Sequence, residues 1–152
     1  MKRAMGLSIV VEALAASAGA RAADSQAWEA TAYRNYTLNC MGCHGPHGES
    51  VDGKIPPLRE ALGLFMHTPA GRQFVVKVPG ESNSALSDEE LAQVTNLLLL
   101  RYNRAQLPAD FQPYTAAEVA ALRRPAFSDV KTVRHEVVSE LRARGLPASY
   151  DY

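Results

Sequence analysis

Cys40-Met41-Gly42-Cys43-His44 is the stretch on which the reading of this chain turns, and it holds both cysteines of the 152 residues. C-x-x-C-H is the spacing at which a c-type haem is attached. Two thiols three positions apart add to the two vinyl groups of one porphyrin, and the adjacent imidazole then sits beneath the iron as its proximal ligand. Other uses of C-x-x-C need other surroundings. A dithiol oxidoreductase carries its motif near a βαβ pattern, whereas here helix precedes the motif and a glycine-rich loop, Gly45-Pro46-His47-Gly48, follows it. A structural zinc takes four thiolate or imidazole ligands. Beyond the two cysteines the chain offers only His44, His47, His67 and His135.

Working outward to the N-terminus, Met1-Lys2-Arg3 is a short basic start, Met5 to Ala18 is largely apolar, and Ala20-Arg21-Ala22 is a small-x-small cleavage site. Together they read as a secretory signal peptide over residues 1–22, with Ala23 as the first mature residue. The apolar run, interrupted by Glu12, is shorter than the about 20 residues of a transmembrane helix. The expectation is a periplasmic protein with no membrane insertion after cleavage. Residues 23–152 suit one domain. Loss of Lys2, Arg3, Arg21 and Glu12 leaves 13 basic and 15 acidic residues, close to neutral. No basic patch and no aromatic ladder among the arginines point to nucleic acid.

The apolar pattern of the mature chain is helical. Trp28, Ala32, Tyr33, Tyr36 and Thr37 share one face of a helix expected over residues 25–39. Ser87-Asp88-Glu89-Glu90 forms a capping box ahead of Leu91, Val94, Leu97 and Leu98, which predicts a helix over 87–102. Thr115-Ala116-Ala117-Glu118 opens a short helix ending near Arg124-Pro125, and Ser128 caps a last one to about Arg144, stopped by Gly145 and Pro147.

Over residues 27–102 these features resemble the monohaem class I cytochromes c. Tyr36 to Gly48 is similar to that family's helix-to-haem segment, Pro56-Pro57-Leu58 to its proline-leucine loop, and Leu86 to Ala92 to the start of its last core helix. The resemblance implies an all-α, cytochrome c-like fold around one covalent haem c, held by Cys40 and Cys43. His44 would be the iron ligand, and Pro57 in the proline-leucine loop would offer a carbonyl to its imidazole. The family's distal methionine lies just before the last core helix, and Val78 to Ala85 contains none. His67 is the expected distal ligand, with Met66 as the alternative. His47 and His135 are weaker candidates, close to the proximal side and on a solvated helix face.

The implied function is transfer of single electrons between redox proteins, from a periplasmic dehydrogenase towards a respiratory acceptor such as a terminal oxidase, without enzymatic activity. Were neither His67 nor Met66 to bind iron, an open position would instead suit a ligand sensor or a small peroxidase. Residues 103–152 exceed a minimal cytochrome of this class. They are expected as a helical extension packed on the 23–102 haem domain through residues such as Tyr114, Val119, Val137 and Leu141, with Arg123-Arg124 in a charged rim.

Overall fold

The structure, a computed structural model, describes residues 26–149; the signal segment read over 1–22 lies outside them. The chain divides into two units, Met1–Thr31 and Ala32–Tyr152. The described part of the first, residues 26–31, is helical, and the core and cavity described here belong to the second.

The fold is all-α, with one isolated bridge between Val51 and Ile55 and no strand among the described residues. Helix α1 covers residues 26–39. It runs into the four-residue helix α2, Met41–His44, because the Cys40 carbonyl accepts from both Cys43 N and His44 N at 3.1 Å. The chain then reverses through Gly45 and Gly48. Gly48, at φ 77°, leaves no room for a Cβ, which would stand 3.0 Å from Arg59 N. The Gly48 carbonyl accepts from Leu58 N at 2.9 Å and Arg59 N at 3.1 Å, which draws the proline-leucine loop against the cysteine motif.

Leu62–His67 forms a 3₁₀ turn buried from Leu62 through Met66. Thr68 follows in an extended conformation, and its side chain accepts from Gly71 N at 2.9 Å, capping α3, Pro69–Lys77. Thr68-Pro69 is thus an N-cap followed by proline at the first helical position, where its missing N–H costs nothing. The loop expected over 78–85 contains a short helix, α4, Pro79–Ser82.

Helix α5, Asp88–Tyr102, opens with the full reciprocal capping box between Ser87 and Glu90. Asn103, completely buried, ends it: Nδ2 donates to the Leu98 carbonyl and Oδ1 accepts from Gly63 N at 3.1 Å. A 3₁₀ turn, Arg104–Gln106, leads on to α6, Ala116–Leu122, and α7, Val130–Ala143. Thr115 caps α6 through Glu118 N as expected. The cap of α7 is Asp129, accepting from Thr132 N at 3.0 Å, and not Ser128.

One hydrophobic cluster joins Tyr36, the 3₁₀ turn, α3 and α5 to Tyr114, Val119, Val137, Val138 and Leu141. Residues 103–149 therefore share a core with the cysteine-bearing part. Asn96 on α5 locks the junction, donating from Nδ2 to the Tyr114 carbonyl at 2.9 Å and accepting from Tyr114 N at 2.8 Å. Further along, Phe127 N donates to the Lys77 carbonyl at 3.1 Å, and the Phe127 ring stacks on Phe74, which stacks on Phe65. No helix of the described residues is long and apolar enough to cross a membrane.

Candidate functional site

Cys40, Cys43 and His44 face a cavity of about 340 Å³, a volume usual for small-molecule sites. Pro56, Pro57 and Leu58 form the adjoining wall. Phe65, Phe74, Val75, Val78 and Leu91 make the lining largely apolar, and Val130 and Arg134 close it from α7. Among the described residues, Glu81 is the only carboxylate on the lining.

The local fold fixes the motif through Tyr36. One turn before Cys40 on α1, this fully buried side chain donates from its hydroxyl to the Gly45 carbonyl at 2.6 Å and accepts from Gly48 N at 3.2 Å. Burial pushes the phenol up to about 12, so the donor stays protonated. Removing the hydroxyl in Tyr36→Phe strands a buried amide and a carbonyl, and is expected to cost about 2 kcal/mol. Urea titration of the two proteins checks this, the midpoint falling with an unchanged slope.

Both cysteines are free thiols. Burial, with the charges of Glu81 and Cys43 adding to it, pushes the Cys40 thiol up to about 12. A redox-active dithiol needs the opposite shift, since the thiolate is the nucleophile. Among the described residues no group of three or more His, Cys, Asp and Glu side chains is placed to hold a metal ion between them. Burial lowers the pKa of His44, while the Pro56 carbonyl against the ring acts in the other direction. The imidazole is thus held neutral, as a metal ligand must be. Its Nδ1 is buried without a hydrogen-bond partner.

Pro57, whose carbonyl is expected to accept from that ring, lines the cavity, but Pro56 supplies the carbonyl that influences it. His67 and Met66 do not line the cavity. Because Thr68 starts α3, the preceding turn aims both elsewhere. His67 Nε2 donates to the Gln106 carbonyl at 2.9 Å, and Met66 Sδ lies 3.9 Å from Arg72 Nη1 in a separate hollow beside Glu118. His47 stands edge-on to Tyr102, and His135 is exposed on α7.

No family model matches the chain. It is 28% identical over 125 residues to a cytochrome c-552 of Thermus thermophilus, covering 70% of this chain and 92% of that protein. The same identity over the same length relates it to a second cytochrome c-552 of that species, with 81% of the protein covered. The chain is similar to c-type cytochromes. This likeness supports a c-type cytochrome family, and the donor set of the cavity fits the group such a cytochrome holds. Two free thiols three residues apart, a half-buried imidazole whose Nδ1 is enclosed without a partner, and apolar walls stand together.

Sequence reading missed the part of the cavity that comes from α4 and α7. Val78 to Ala85 reads only as a loop without a methionine, yet Glu81 and Ser84 from it line the cavity. Arg123, expected in a charged rim, is only 3% exposed. Its Nη1 donates to the Leu86 carbonyl at 3.0 Å and to Asp88 Oδ1 at 2.8 Å. Its Nη2 donates to the carbonyls of Glu81, Ser82 and Ser84, and Ser82 Oγ in return donates to the Arg123 carbonyl. One buried guanidinium thereby holds the whole segment that carries Glu81 to the cavity.

Proposed function

We propose that this protein carries single electrons on one haem c, bound covalently through Cys40 and Cys43 with His44 as an iron ligand. The observation that carries the reading is the apolar cavity onto which both thiols and the imidazole open. The likeness to cytochrome c-552 supports it and is consistent with an electron carrier that has no enzymatic activity. The haem, when bound, supplies the one-electron couple. The chain supplies attachment, a neutral imidazole, exclusion of water by Phe65, Phe74 and Leu91, and the loop anchored by Tyr36.

The export segment over 1–22 and the attachment chemistry support a periplasmic location, with residues 103–152 as a helical extension completing the 23–102 haem domain. Near-neutral charge favours partners chosen by local shape over electrostatic steering. A dehydrogenase as donor and a respiratory acceptor are the partners in this reading.

The test is haem staining of the matured protein on a denaturing gel. Wild type is expected to retain haem, and Cys40→Ala/Cys43→Ala to lose it entirely. Retention by the double variant, or no stain in wild type, would overturn the reading.

A second reading is favoured by the turning away of His67 and Met66: a haem with an open position that binds a small ligand. Carbon monoxide titration of the reduced protein separates the two. Rapid, tight binding with a high-spin ferric spectrum supports the second; a low-spin spectrum that carbon monoxide leaves unchanged supports the carrier and requires a protein ligand to move in.

A further inference from the structure

Glu81 is, among the described residues, the only carboxylate facing the cavity, and it arrives there through two features of the fold. Helix α4 turns its side chain inward, and Arg123 ties the main chain on either side of it to α6. The residue as a whole is partly exposed while its Oε2 is enclosed without a hydrogen-bond partner. The carboxyl thus turns one oxygen into the enclosed interior while the residue itself is not fully buried.

The charged and titratable groups around it leave it unpaired. Arg123 directs its donors to carbonyls and to Asp88, and meets Glu81 only at its backbone oxygen. Arg134, on the lining from α7, has its guanidinium 5.4 Å over the Phe65 ring and donates to the Ser149 carbonyl. Lys77, in the last turn of α3, lies over Phe127. Cys40 and Cys43 are thiols and His44 is held neutral. Tyr114, buried beside Arg72, stays protonated.

We infer that Glu81 is the proton-accepting group of this site: its carboxylate takes one proton from solvent when the site takes one electron, and releases it on oxidation. The inference rests on the electron-carrier reading. The balance is one electron from the redox partner and one proton from solvent inward. One O–H bond forms at Glu81, and none breaks within the protein. The physical reason is charge. An electron added to a cavity walled by apolar side chains raises the cost of a nearby carboxylate, and a proton on Glu81 relieves it. Burial, offset in part by Arg123, pushes Glu81 up to about 7, where small changes of cavity charge switch its protonation at neutral pH.

The experiment is potentiometric titration of the haem-loaded protein from acid to alkaline pH, wild type against Glu81→Gln. The wild-type midpoint is expected to fall as pH rises through neutrality. Glu81→Gln should lack that step and hold the acid-side potential. Redox-difference infrared spectroscopy of wild type at neutral pH gives a reading that needs no variant: a protonated carboxyl band should appear on reduction. An identical pH profile in Glu81→Gln, or no carboxyl band, overturns the assignment while leaving the carrier reading intact. Absence of covalent haem overturns both.

Discussion

A chain ending at Tyr102 will not fold. Its urea titration will lack a cooperative transition and its near-ultraviolet circular dichroism will be flat, although the cysteine motif and both capping residues of α5 remain. The truncation removes Tyr114, Val119, Val137, Val138, Leu141 and Ala148 from the hydrophobic cluster of the described residues. At about 1.5–3 kcal/mol for each large apolar side chain withdrawn from water, the gross loss is on the order of 10 kcal/mol. That matches the whole net stability of an ordinary domain, about 5–15 kcal/mol. It also removes Asn103, whose Oδ1 receives Gly63 N, and leaves the Asn96 amide facing nothing. A cooperative transition in the truncated chain would show instead that residues 103–152 are an accessory.

Arg123→Ala is expected to be the most damaging single substitution, at about 3–5 kcal/mol. The loss is chiefly the cost of stranding the carbonyls of Glu81, Ser82, Ser84 and Leu86, which one planar guanidinium satisfies from two nitrogens. Arg123→Lys should recover only part of it, because an ammonium cannot reproduce that fork. Asp88→Ala, at a carboxylate 40% exposed, should cost about 1 kcal/mol or less. Urea midpoints of the three variants give the ordering, and an Asp88→Ala loss equal to that of Arg123→Ala would mean that the ion pair, not the carbonyl clamp, holds the segment.

What the sequence disclosed was local chemistry. The Cys40–His44 spacing, the Ser87–Glu90 box and the helical period of α5 depend on neighbours within a few residues, and each stands where its pattern places it. Thr68-Pro69 was legible in principle but ambiguous, since the same pair serves a turn or a helix start. Its resolution as the cap of α3 is what turns His67 and Met66 away from the cavity. Arg123 was misread because two adjacent arginines look solvated, and nothing nearby reveals that carbonyls from a segment far upstream converge on one of them. Glu81 and Arg134 could not be connected by any period, for their meeting in one wall is a product of tertiary packing alone.

The walls of the cavity come from opposite ends of the described chain, Cys40 to Leu58 on one side and Val130 and Arg134 on the other. Neither end encloses the cavity by itself. Solvent is shut out only where α7 has docked on the cysteine-bearing part, so enclosure of this site is a property of the completed tertiary fold and not of the motif that marks it in the sequence.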